Sequence, residues 1–247
     1  MTEYAFSSVA SEVPLLLLLE RASSTNTVLS GLGSTAPFTT VITTSQTQGR
    51  GRLGRSWVSR PGDGLAMSVL VPRDRVGASL RSWVPLVAGV SAVTALRTSG
   101  VTAASLKWPN DVLVENQKIA GILCEVTAEG DFVVGVGLNL TFSSEPPVSR
   151  AAAISDYIAL DEDFPDAWCS LVLRELRETL SVSLPEIQAR VSNCMPTLGK
   201  KIEVEEHDGS RWAGYASGLD AEGRLVVNSI GAGTKVVAAA DVTHLHQ

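Results

Sequence analysis

Beyond Leu198 the texture of the chain changes, and that change constrains the fold more than any other feature. From there on, short alternating stretches are separated by glycine turns: Lys201–Glu205, Trp212–Leu219, Arg224–Val227 and Thr234–Ala239. Period-two alternation at this spacing predicts a small barrel of about 50 residues. Upstream, strand-like and helix-like stretches are mixed, which predicts an α+β unit: a mixed sheet with flanking helices. The boundary falls near Pro196–Gly199, dividing the chain into residues 1–196 and 197–247. A chain of 247 residues has room for both.

Within the larger unit, Leu15–Leu19 reads as a buried strand, and Ser23-Ser-Thr-Asn26 opens a short helix through Leu29 with side chains available to cap it. Val41–Thr44 and Leu65–Val71 read as strands flanking a long polar loop, Gln46–Asp63. Ser82–Thr98 has apolar residues near helical spacing, with Pro85 in the first turn. Leu106–Pro109, Asp111–Val114, Lys118–Thr127 and Asp131–Leu140 read as successive strands, with a hairpin turn at Asn116-Gln117. Trp168–Leu180 and Leu184–Val191 read as helices.

Composition excludes several classes. Hydrophobic residues make up 45% and charged residues 19%, which suits a packed core rather than disorder. The net charge of −6 argues against nucleic acid as the main partner, since phosphate binding wants surplus Lys and Arg. The leucine run at 15–19 is too short to cross a membrane, which takes roughly 18–20 residues. Only Glu3 and Glu12 carry charge ahead of it, unlike the basic start of a secretory leader. Cys124, Cys169 and Cys194 are odd in number and lack metal or disulfide spacing, which suits a reducing compartment. A cytoplasmic protein without membrane or nucleic-acid partners is expected.

The densest chemistry lies in Gly49-Arg-Gly-Arg-Leu-Gly-Arg-Ser-Trp57. Glycine lets backbone approach a ligand and turns N–H groups toward an anion. Arginine grips phosphate or carboxylate with a planar fork. Self-repelling charge and few apolar anchors predict a loop that is mobile when empty and ordered by an anionic ligand. A solvated basic loop is the bland alternative, but such loops seldom hold a tryptophan and so regular an alternation.

The second feature is Lys107-Trp-Pro-Asn-Asp111, followed by Lys118-Ile-Ala-Gly121. Lys107 and Lys118 are expected on neighbouring strands, converging on one pocket. Two ammonium groups beside a Gly/Arg loop suit activation of a carboxylate by ATP, where charge developing on the α-phosphate must be met by fixed cations. A turn in which Asp111 merely pairs with a lysine accounts for this segment equally well. Ser24-Thr-Asn26 offers hydroxyl and amide groups to a neutral polar ligand, and Gly135-Val-Gly-Leu-Asn139 suits close approach of a nucleotide. There is no GxxxxGK[ST] loop and no strand–GxGxxG–helix unit. His207, His244 and His246 fall in the C-terminal part; the last two read as a tail, and histidine catalysis is not expected.

In this order the pieces resemble the biotin protein ligases, from Leu15 to the C-terminus. The specific elements are Gln46-x-x-Gly-Arg-Gly-Arg-x-Gly-Arg-x-Trp57 and Lys107-Trp-Pro-Asn-Asp with Lys118-x-x-Gly121. The resemblance implies the class II synthetase-like biotin/lipoate ligase fold followed by an SH3-like barrel. It implies an ATP-dependent ligase that makes biotinyl-5′-AMP, releases pyrophosphate and biotinylates a lysine of a biotin carboxyl carrier domain, as a monomer or homodimer.

By resemblance, Ser24, Thr25, Asn26 and Gln46 line the biotin pocket, with Arg50, Gly51, Arg52, Lys118 and Gly121 also touching biotin. Arg52, Arg55, Trp57, Asn110 and Asn139 form the nucleotide side. Lys118, Arg52 and Lys107 are the catalytic candidates, and Asp111 is the candidate ligand for Mg²⁺. Two departures stand out. About 14 residues precede the first strand, so no DNA-binding repressor domain is expected. The barrel reads Ala239-Ala-Asp-Val242, where the family commonly has glycine before the aspartate. Lipoate ligases share the adenylation, but their usual paired arginines before a glycine run are absent. A non-catalytic binder would not need this concentration of charge, and an adaptor acting through the barrel would function from residues 197–247 alone.

Overall fold

A computed structural model describes residues 4–148, 150–206, 208–229, 231, 233–238 and 240–245. His207, Ala239 and His246 lie outside the described residues.

Seven strands form one mixed sheet: β1 (Leu16–Leu19), β2 (Thr40–Thr43), β3 (Gly64–Val71), β4 (Ser105–Lys107), β5 (Asp111–Val114), β6 (Gln117–Val126) and β7 (Phe132–Asn139). Their spatial order is β1-β2-β3-β7-β6-β5-β4. Only β1 and β2 run parallel, because the chain returns between them through a short helix over Thr25–Gly31. The five leucines do not make a buried strand. β1 pairs on one side alone, and Leu15 and Leu18 stay 42% and 48% exposed.

β3 is buried along its whole length. Its residues Leu65, Met67, Val69 and Val71 enter the main core, which also holds most of the helix Val84–Thr98. Leu70, on the other face, packs with Leu29, Val41 and Val133. The segment Ala78–Thr98 is apolar and long enough to cross a membrane, but 67% of its most apolar window is buried inside the protein. Pro85 sits in the first turn, as expected. Glu115 and Asn116, at φ 51° and 66°, form the two-residue β5–β6 hairpin turn, one residue earlier than the sequence suggested.

Helices Phe164–Ser181 and Leu184–Cys194 follow. The helix Ser7–Glu12 was not anticipated: it has neither length nor a side-chain cap of its own. The buried Asp166 supplies one from afar, accepting the Ser8 and Val9 N–H groups at 2.8 and 2.9 Å.

The C-terminal sheet is antiparallel: β8 (Lys201–Glu205), β9 (Arg211–Leu219), β10 (Leu225–Ser229), β11 (Gly233–Val237) and β12 (Asp241–His244). Its order is β11-β10-β9-β8-β12, so it curls as an open SH3-like sheet rather than a closed barrel. β12 was not anticipated, and His244, read as tail, pairs in register with Ile202. The core of this sheet, including Ile202, Val204, Leu225 and Val242, is continuous with the main core. Two indoles grip the β9–β10 turn. Trp83 Nε1–H donates to the Ala221 carbonyl at 2.8 Å, and Trp108 Nε1–H to the Gly223 carbonyl at 3.1 Å.

Candidate active site

The large sheet carries the site on the face that bears the Thr25–Gly31 helix. Strand register lines up one row across six strands: Lys107, Asp111, Gly121, Gly137, Ala66 and Thr43. Residues in one row project to the same face. A second row carries Leu123, Gly135 and Ser68. The middle of both rows is glycine, which leaves the sheet bare where a ligand or ring can lie flat on backbone.

Trp57 occupies part of that bare surface. A β-carbon on Gly137 would come within 2.7 Å of its indole, and one on Gly121 within 3.0 Å. The Gly/Arg segment is a tight hairpin, closed by Gly51 N–H to the Arg55 carbonyl at 2.7 Å and Trp57 N–H to the Gly49 carbonyl at 2.9 Å. Its Leu53 adopts φ 59°. In this structure the segment is folded, with Trp57 seated on the glycines at one end and Arg50 paired with Glu125 at 2.8 Å.

Every candidate named from the sequence lines the same cavity of about 380 Å³. That volume lies in the range of small-molecule sites, roughly 300–1,000 Å³. At one end lie Ser24, Thr25 and Asn26, all buried at the start of their helix. The Gln46 side-chain oxygen Oε1 accepts the Thr25 N–H at 2.8 Å. Ser24 makes no capping bond, so its hydroxyl is available to the cavity rather than to the helix. Asn26 differs: its amide donates to the Leu123 carbonyl and Glu125, and its oxygen accepts from Ser68 at 2.6 Å. It shapes the pocket wall while its polar atoms serve the protein.

At the other end the cavity is cationic. Lys118 Nζ lies 2.6 Å from Asp111 Oδ1 and 5.6 Å from the centroid of the Trp57 ring. Lys107 and Lys118 are not on neighbouring strands, since β5 lies between β4 and β6. They share the cavity because Lys118 reaches back across Gly121 toward Asp111, the row partner of Lys107. Arg52 Nη1 donates to Asn110 Oδ1 at 3.4 Å, and Asn110 is fixed in turn by the Ile122 carbonyl at 2.8 Å. Asn139 donates to the carbonyls of Ala152 and Lys118, pinning the 150–152 segment to the pocket rim.

Among the described residues no group of three or more His, Cys, Asp or Glu side chains could hold a metal ion. Among the described residues that line the cavity, Asp111 is the one acidic side chain, and it faces Lys118. The donor set does not build a resident cation site. It fits only a cation whose other ligands are phosphate oxygens.

Several lining residues lie outside the sequence motifs. Val148 and Ala151 come from the irregular segment after β7, and Val242 comes from the C-terminal sheet. Val242 joins the site because the indole-gripped turn holds that sheet against the mouth of the cavity.

Residues 18–141 match the sequence model of the biotin/lipoate A/B protein ligase family. The biotin–[acetyl-CoA-carboxylase] ligase of Mycobacterium tuberculosis is 35% identical over 211 residues, 83% of this chain and 78% of that protein. The enzyme of the same name from Paracoccus denitrificans is 31% identical over 250 residues, covering 91% of this chain and 98% of its own. Among solved structures, the Aquifex aeolicus biotin protein ligase in complex with biotin and ATP superposes with a TM-score of 0.78 at 25% identity, covering 95% of this chain and 100% of its own. The chain thus belongs to the biotin/lipoate A/B protein ligase family, within it to the biotin protein ligases.

Proposed function

We propose that the protein activates biotin with ATP and passes the biotinyl group to a lysine of a biotin carboxyl carrier domain, in the cytoplasm. The observation that carries this is the polarity of the cavity: uncharged hydrogen-bonding groups around Ser24, Thr25 and Gln46, and cations around Lys118, Arg52 and Lys107. Biotin has that polarity itself, with a neutral ureido head and a carboxylate tail. On this reading Gly121 and Gly137 seat the Trp57 ring on the sheet, and the chain between head and tail lies beside that ring.

In the first step a biotin carboxylate oxygen attacks the α-phosphorus of ATP, the bond to the β-phosphate bridging oxygen breaks, and pyrophosphate leaves. Lys118 and Arg52 meet the charge that develops on the phosphate oxygens, and Lys107 adds to that field. Arg55, Trp57, Asn110 and Asn139 hold the nucleotide side. Asp111 is the protein carboxylate that would share a Mg²⁺ brought in by the triphosphate, an ion that would neutralise part of the phosphate charge. In the second step the neutral amine of the acceptor lysine attacks the mixed-anhydride carbonyl and AMP departs. Arg50, Gly51 and the rest of the hairpin cover the intermediate and limit its hydrolysis. Residues 1–196 do this chemistry, and 197–247 close the mouth of the cavity.

The test is to incubate the purified chain with biotin, ATP, Mg²⁺ and a carrier domain. The expected outcome is one biotinyl group on one lysine, dependent on ATP. Lipoate in place of biotin should give no product. Modification by lipoate alone would move the chain to the other branch of its family.

A further inference from the structure

On leaving β7 the chain winds around one buried side chain, Asp63, before it reaches the cavity. Asp63 is 7% exposed and immediately precedes β3, whose first residue, Gly64, pairs with Asn139 across the sheet. Its main-chain carbonyl accepts the N–H groups of Leu140 and Thr141 at 2.8 and 3.0 Å. Its carboxylate accepts the Ser143 N–H at 3.3 Å on Oδ1 and 3.2 Å on Oδ2, and the Ser143 hydroxyl at 2.9 Å. Asp63 itself does not line the cavity, but Pro147, Val148 and Ala151, farther along the segment it holds, do.

The far end of that segment is held by other groups. Lys118 N–H donates to the Arg150 carbonyl at 2.6 Å, Ala152 N–H donates to the Lys118 carbonyl at 2.9 Å, and Asn139 donates to the Ala152 carbonyl at 3.0 Å. Residues 150–152 therefore clasp the main chain of Lys118. Between the two anchors, residues 144–148 are exposed and belong to no helix or strand, so packing does little to set their path and the anchors must. A buried carboxylate is costly unless donors satisfy it, and Ser143 supplies them, so the contact holds both partners in place. We propose that Asp63 is a positioning residue: it sets the course of residues 140–152, and through them the wall formed by Pro147, Val148 and Ala151. The assignment of that wall to the nucleotide rests on the biotin ligase reading; the anchoring of the segment does not.

A turn that served stability alone would leave ligand affinities untouched, and that difference is the test. In the full chain, Asp63→Ala should raise the KM for ATP about tenfold, the size of effect that hydrogen bonds to a charged group carry. The affinity for biotin without nucleotide should change by less than about twofold, because Ser24, Thr25 and Gln46 lie at the other end of the cavity. Asp63→Asn keeps one acceptor oxygen for Ser143 and should recover most of the loss. Ser143→Ala should act in the same direction, and adding it to Asp63→Ala should do no further harm, as for two ends of one interaction. Trypsin reads the segment with no ligand present, because Arg150 lies within it. Asp63→Ala should speed cleavage after Arg150 about fivefold or more, since local opening sets the rate. If Asp63→Ala does not fold, Ser143→Ala, at an exposed position, supplies the same comparisons. A lower melting temperature with unchanged KM for ATP and unchanged cleavage after Arg150 overturns the proposal, and so does a biotin affinity that falls as much as that for ATP. Faster cleavage in the variant, when the wild type shows no biotin-dependent pyrophosphate exchange, keeps the anchor and removes the ligase reading instead.

Discussion

Gly137 lies directly under the indole of Trp57, so close that a β-carbon there would fall 2.7 Å from Cε2. The same ring passes 3.0 Å from the β-carbon position of Gly121, the cross-strand partner of Gly137. The glycine pair is thus the seat of the residue that anchors the Gly/Arg hairpin.

Gly137→Ala should displace the ring and with it the hairpin. Overpacking of a tight site costs about 1–3 kcal/mol when nothing can move. Here the ring borders a cavity and can swing, so the melting temperature should drop by only a few degrees while biotin binding weakens sharply. Tryptophan emission and calorimetric titration with biotin check both halves. A large stability loss with unchanged affinity would mean the ring is core rather than site.

Lys118→Ala removes the cation facing Asp111. The pair is partly exposed, so stability should change by less than about 1 kcal/mol. Loss of a preorganised charge at the reacting phosphate should lower kcat by about 10²–10³. Lys118→Arg should not restore the rate, since a planar fork cannot take the place of a point charge beside Trp57. Steady-state rates at saturating biotin and ATP decide it.

The two sheets share one core, so the chain should unfold in a single transition and residues 197–247 should not fold alone. Trp108→Phe leaves the buried Gly223 carbonyl without its donor and should cost about 1–3 kcal/mol. Thermal denaturation followed by far-UV dichroism measures the loss. A folded isolated C-terminal fragment would contradict the shared core.

Burial pushes the thiols of Cys169 and Cys194 above their ordinary range. Cys124 is pushed up to about 12 by burial and by the neighbouring charge of Glu125. Raised folded values favour the neutral thiol, so their contribution to stability is intact below pH ~9 and lost as pH climbs beyond it. Alkylation by iodoacetamide at pH 8 should be slow in the native protein and rapid after unfolding. Denaturation midpoints should begin to fall above pH ~9.

What the sequence disclosed follows from how each feature is encoded. The Gly/Arg hairpin and Lys107–Asp111 are contiguous, so residue type alone announced their chemistry, and all their candidates reach one cavity. Glu125 was passed over because it reads as an ordinary strand residue. Yet stepping by two from Gly121 through Leu123 reaches it on the pocket face, so strict strand periodicity would have found it. Leu15–Leu19 misled because composition cannot tell an edge strand from a central one; only strand order does. For the same reason Lys107 and Lys118, placed side by side from the sequence, turned out to be separated by β5. Val242 could not be foreseen, because its place depends on two tryptophan hydrogen bonds to a turn more than a hundred residues away.

The central claim is that a carboxylate meets the α-phosphate of ATP beside Lys118 and Arg52. Exchange of labelled pyrophosphate into ATP reports that step without any acceptor protein. Exchange should require biotin and fall by at least about a hundredfold in Lys118→Ala. Exchange that proceeds without biotin, or at the wild-type rate in Lys118→Ala, would contradict the account.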